Sequence, residues 1–179
     1  MKYFTPERIV RYGSEDATTW RAADAAWEEA GEGYVAYLDT VRSEFPAGLR
    51  KIDDSYYLHD AVIHGMGQEG RSFFIMLQLD TPPHSLLTFT YDLVGEPVID
   101  REALPVDYRS TGGVVDWQYD EIERVPGQPA TWRQSILLSN GWEVRLHFRD
   151  VAVQEVQALL PARGTAVTAP LTPPVSQAV

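Results

Sequence analysis

The stretch SYYLHDAVIHGM, residues 55–66, holds His59 and His64, two of the four histidines of the chain, with Asp60 beside the first. Imidazole and carboxylate groups are common proton carriers and metal ligands, so chemistry would be sought here first. The spacing opposes it. On a strand successive side chains alternate faces, so His59 and Asp60 diverge, and so do His59 and His64. On a helix the two histidines would also sit well apart, unlike the four-residue step of a helical zinc site. Neither His84 nor His147 is spaced to complete a ligand set, and no metal is assigned. The His-Asp pair reads as the start of a strand, one side chain hydrogen-bonded to a neighbouring loop. His59 and Asp60 stay as binding candidates.

The second candidate is DWQYDEIE, with Asp116, Asp120, Glu121 and Glu123. As a glycosidase pair, Asp116 and Asp120 would share a strand face ~13 Å apart by strand rise, too far for either class of that reaction. As a recognition surface the segment is better suited. Trp117 and Tyr119 would be aromatic anchors, and Asp116 and Asp120 would steer a basic partner. Nucleophile elbows, phosphate-binding glycine loops and dinucleotide fingerprints are missing, and GMGQEG suits a hairpin turn. No catalytic residue and no cofactor is assigned.

Composition narrows the classes further. The 179 residues include no cysteine, which removes disulfides, thiolate catalysis and cysteine-based zinc sites. A net charge of −11 disfavours nucleic acid, whose phosphates need a basic footprint. The longest apolar run, Phe73 to Leu77, falls far short of the ~20 residues of a membrane helix. The opening MKYFTPERIV lacks the apolar stretch of a secretory signal. The expectation is a soluble, cytoplasmic protein with no nucleic-acid or membrane partner and a single domain over 1–160. The proline-rich segment 161–179 reads as a flexible tail.

Positioning falls to a helix and a sheet. Trp20, Trp27, Tyr34 and Val41 recur every seven residues, with Ala23, Ala30, Tyr37, Leu38 and Phe45 widening the stripe. This predicts one amphipathic helix from about 15 to 45, capped by Ser14, stopped by Pro46 and weakest at Gly31 and Gly33. Residues 50–150 read as six strands joined mostly by short turns. FFIML, with no polar alternation, predicts a strand covered on both faces. In SILLSNGWEV a two-residue Asn-Gly turn would mix apolar and charged residues on each face. A three-residue Ser139-Asn140-Gly141 loop restores the alternation, with Ile136 facing Val144 and Trp132 facing Phe148. In that register His147 joins Arg145 and Arg149 on a solvated stripe. The fold class is α+β: a long N-terminal helix packed on a largely antiparallel meander sheet of about six strands.

MKYFT, FPAGLRKIDDSYYLHDAVI and ILLSNGWEVRLHFRDV together resemble a family of uncharacterised bacterial proteins, domain of unknown function 4085, over about residues 1–153. That resemblance implies no activity and carries no site residue. LHD followed by a meander is similar to immunity proteins of bacterial toxin systems, which implies a protein partner. Two functions are therefore expected to compete. One is a non-enzymatic protein-binding module, of the kind that inhibits a basic toxin, with Trp117 and Tyr119 as anchors. The other is a small-ligand-binding protein or hydrolase with a pocket between helix and sheet, using His59, Asp60 or His147.

Overall fold

The alternation that begins at Trp142 runs on past the hairpin to Val156, and that length decides the architecture. The computed structural model describes residues 1–13, 16–110, 112–127 and 129–157. Its strands are β1 (Val62–Glu69), β2 (Ser72–Gln78), β3 (Leu86–Leu93), β4 (Val98–Asp100), β5 (Val115–Val125), β6 (Thr131–Leu138) and β7 (Glu143–Val156). β7 is too long for one partner. Its first half pairs with β6, from Leu137↔Glu143 to Trp132↔Phe148. Its second half pairs with β3, from Tyr91↔Val151 to Leu86↔Val156. The meanders β1–β2–β3 and β5–β6–β7 are thereby joined at one seam, and Val62↔Asp116 with Ile63↔Val115 joins them at the other.

The result is a closed six-stranded antiparallel barrel, with β4 appended to β7 at Val98↔Arg145. This corrects the expected open meander. Each strand shows the same alternation whether its sheet is open or closed, so the period alone does not register closure. Closure also corrects the reading of FFIML. Phe73, Ile75 and Leu77 point into the barrel, while Met76 on the outer side is 46% exposed. Leu87, Phe89, Tyr91 and Leu93 form the expected inward row, all buried. With Trp117, Trp132, Ile136 and Phe148 they fill the lumen, as so narrow a barrel requires.

The helical layer differs from expectation as well. α1 (Pro6–Tyr12) is capped by Thr5, whose hydroxyl accepts from the Arg8 N–H. α2 (Ala17–Val41) is capped by Asp16, which accepts from the Thr19 N–H at 2.7 Å, and it runs unbroken through Gly31 and Gly33. Ser14 lies outside the described residues, as does the segment 161–179 read as a tail. After a 3-10 turn at Arg42–Glu44 comes α3 (Ala47–Ser55), an element the sequence reading missed. Pro46 and Gly48 read as helix breakers, yet proline is accommodated at a helix start and Leu49 and Ile52 supply a buried face. Of the aromatic stripe, Leu38, Val41 and Phe45 enter the core, and Tyr34 and Tyr37 pack against it. Trp20 is 41% exposed, resting on Tyr12. Among the described residues no helix is long and apolar enough to cross a membrane.

Two glycines are dictated by geometry. α3 meets β7 backbone to backbone: a Cβ on Gly48 would lie 1.5 Å from the Val151 carbonyl oxygen. The Gly48 N–H donates to Asp150 at 3.3 Å there. The β6–β7 loop takes the three-residue form, with Gly141 at φ +83° and Ile136↔Val144 in register. The outer face of that hairpin is less solvated than expected. Leu137 is fully buried, and the N-terminal residues reach this side: the Met1 ammonium pairs with Glu143 at 3.3 Å, and the backbone N–H groups of Lys2, Tyr3 and Phe4 donate to Glu121 on the adjoining β5. His147 is hydrogen-bonded to Thr131 Oγ1 at 2.8 Å.

Gly48→Ala is expected to lower unfolding free energy by about 2 kcal/mol or more, since backbone faces backbone and neither can yield. Gly141→Ala is expected to cost about 1 kcal/mol or more through its positive φ. Urea denaturation of both variants checks these values, and unchanged midpoints would contradict the two contacts.

Candidate functional site

β5 is the strand that builds the site. It pairs with β1 only at Asp116 and Val115, and the Trp117 N–H still donates to the Ala61 carbonyl at 2.9 Å. From Gln118 onward no strand lies on that side among the described residues. An exposed strand edge presents unpaired backbone groups, so something must satisfy them. α2 does part of this. The Tyr34 hydroxyl accepts from the Ile122 N–H at 2.7 Å, and the Tyr37 hydroxyl accepts from the Arg124 N–H at 2.7 Å. His59 satisfies the Gln118 carbonyl through Nδ1. A carbonyl oxygen only accepts, so Nδ1 carries the hydrogen.

Side chains are bulkier than a strand and do not fill the gap. A cleft of about 510 Å³ remains between α2, α3, the loop at 56–59 and the free edge of β5. Its walls are aromatic. Trp27 and Tyr119 stand 4.8 Å apart between ring centroids, and Phe4 lies 5.2 Å from Trp27 and 5.6 Å from Tyr119. His59 is 5.1 Å from Tyr119. Gly31 of α2 also faces the cleft, and a Cβ there would meet no atom within 4 Å. This volume is in the range of small-molecule sites.

A β-bulge decides which β5 side chains reach the cleft. Trp117 pairs with Leu138 and Tyr119 with Leu137, leaving Gln118 as the extra residue. The inside–outside alternation therefore slips by one. Trp117 and Asp120 share the inner side, while Asp116 and Asp120 no longer share a face. The expected surface of Trp117 and Tyr119 flanked by two aspartates does not form. Trp117 is 0% exposed inside the barrel, and Tyr119 is half-buried in the aromatic wall. Asp116 donates its backbone N–H to Ser139 at the barrel seam. His59 and Asp60 lie in a turn before β1 rather than on it, with Asp60 at φ +64° and exposed. His59 Nε2 sits 3.8 Å from Asp60 Oδ2. The structure thus brings His59, Tyr119, Trp117 and Asp120 to one cleft and leaves Asp60 and Asp116 at its margins.

Asp120 is the unusual group. Its Oδ1 accepts from Trp117 Nε1 at 3.0 Å and its Oδ2 accepts from Gln134 Nε2 at 2.7 Å. The Gln134 carbonyl in turn accepts from the Tyr91 hydroxyl at 2.9 Å, deep in the barrel. Burial pushes the Asp120 carboxyl up from its ordinary value, and Glu121 and Asp53 add repulsion that its two neutral donors only partly offset. Burial likewise raises Tyr34 and Tyr119. Sequence reasoning missed Tyr34, Phe4 and Gly31 as cleft residues. The heptad step from Trp27 to Tyr34 was a usable signal for two of the wall residues, whereas Phe4 arrives from a distant segment.

A second cavity, of about 320 Å³, lies against Met1–Tyr3, Tyr37 and Glu121. Its main polar group is already engaged, because Glu121 accepts backbone N–H groups from Lys2, Tyr3 and Phe4 at 2.6–2.7 Å. Among the described residues no group of three or more histidine or acidic side chains is arranged to hold a metal ion. No protein-family model matches the chain, and no curated protein matches it significantly.

The raised Asp120 has a consequence for stability. A carboxyl that holds its proton more tightly when folded makes stability fall as pH rises between its unfolded and folded values. The charged and titratable groups around it are Glu121 on β5, Asp53 on α3, Tyr34 on α2 and Tyr91 on β3. Asp120→Asn is expected to remove this component, leaving stability flatter with pH just above the ordinary carboxylate range. Urea midpoints measured across that range in both proteins check it, and equal slopes would contradict the raised value.

Proposed function

We propose that the protein is a small-ligand-binding protein and that the cleft beside β5 is its site. One observation carries this: a cavity of about 510 Å³, walled in large part by aromatic rings, has a half-buried carboxylate, Asp120, on its inner wall. Apolar walls with a few fixed polar groups are the usual composition of ligand sites. The lumen is packed with side chains, so the cleft rather than the barrel interior takes the ligand. The competing protein-binding reading loses its main anchor, because Trp117 is inside the core. The proposal includes a cytoplasmic setting, which suits a chain without cysteine. It includes no catalytic step. The likeness to the 4085 family is compatible with this reading and adds no residue to it.

The test is a panel of small aromatic amines, alcohols and carboxylic acids titrated against the full chain, followed through the indole N–H resonances of Trp27 and Trp117. Saturable shifts are expected for at least one class. Gly31→Leu should abolish them by placing a side chain in the cleft, while leaving the fold intact because leucine favours a helix over glycine. Absence of saturable shifts for every class, or shifts that persist in Gly31→Leu, would overturn the assignment.

A further inference from the structure

The charges around the cleft are one-sided. Its ionisable wall residues include Glu28, Asp53 and Asp120, and among the described residues lining it there is no lysine or arginine. Asp53 has a counter-ion, Arg42, at 2.8 Å. Asp120 is different: both of its donors, Trp117 and Gln134, are neutral. A carboxylate has about four lone-pair positions, and these two hydrogen bonds leave capacity for another donor from the cleft. Charges withdrawn from water are ordinarily paired, and half-buried Asp120 has no positively charged side chain in direct contact among the described residues. Much of the remaining wall is aromatic, including Phe4, Trp27, Tyr34 and Tyr119, and aromatic rings attract cations through their quadrupoles, tryptophan most strongly.

Resting on the cleft being the ligand site, we propose that its ligand is an organic cation, a primary amine on an apolar body. The ammonium donates to Asp120, and the adjoining carbon atoms lie against Trp27 and Tyr119. This deepens the reading above by fixing the sign of the ligand charge. An acidic protein surface also concentrates such cations near the opening.

Phenethylamine, phenethyl alcohol and phenylacetate share nearly one shape and differ in charge. Titrated against the full chain at neutral pH and fixed ionic strength, phenethylamine should bind about tenfold or more tightly than phenethyl alcohol, a difference of about 1.4 kcal/mol. Phenylacetate should bind most weakly. Asp120→Asn should collapse the preference for the amine. Glu28→Gln, on the exposed face of α2, should reduce it by a smaller factor without touching the buried network. Glu123→Gln, which removes a negative charge outside the cleft, should leave the preference unchanged. Equal binding of amine and alcohol, or tighter binding of the alcohol, would overturn the cation while keeping the cleft as a ligand site. A preference that survives Asp120→Asn, with the variant folded by its amide spectrum, would also overturn it. If none of the probes shifts the cleft resonances, both this inference and the ligand-binding reading fall together.

Discussion

The unpartnered edge of β5 is the constraint on which the rest of the molecule depends. Beyond Trp117 this strand has β6 on one side and, among the described residues, no strand on the other. Its N–H groups cannot be left bare in a half-buried place, where each would cost roughly 1–3 kcal/mol. The hydroxyls of Tyr34 and Tyr37 meet two of them from α2. That requirement fixes how α2 rotates and how closely it approaches. It also leaves a cleft, because rings that reach an edge through their hydroxyls hold the helix axis away from it.

Closure of the barrel accounts for a cleft on this flank. The lumen is filled by Trp117, Trp132, Tyr91, Phe89 and Phe148 and by aliphatic side chains between them. So dense a core stabilises the domain without staples, consistent with a chain that has no cysteine. A polar thread crosses the core, from Tyr91 through Gln134 to Asp120, and that thread ends at the cleft. The barrel therefore acts as a rigid backing that holds one carboxylate in place from behind, which is how a site gains precision.

The bulge at Gln118 links these features. Without the extra residue, strict alternation would put Trp117 and Tyr119 on one side and Asp120 on the other. With it, Asp120 turns inward beside Trp117, and Tyr119 turns toward Trp27 and Phe4. Partly burying a carboxylate beside neutral donors is unfavourable, and a regular strand would have avoided it. A local departure of this kind at the wall of a cavity is where the pattern of a sequence and the needs of a site most often part.

The sequence by itself determined the elements that local pattern controls. The six barrel strands, the inward row Leu87, Phe89, Tyr91 and Leu93, and the three-residue loop with Gly141 were legible because side-chain period and turn chemistry are local. The main span of α2 was legible for the same reason, through its heptad aromatics. What only the tertiary structure decided was long-range. Closure depends on the second half of β7 finding β3, and alternation is identical in open and closed sheets. α3 was hidden because Pro46 and Gly48 read as a break, when Gly48 is needed for backbone contact with Val151. The bulge was hidden because one inserted residue leaves no mark in DWQYDE, yet it changes which side chains of the strand face the cleft. The cleft followed from all three, assembled from residues as distant as Phe4 and Asp120, and no spacing along the chain encodes a contact of that range.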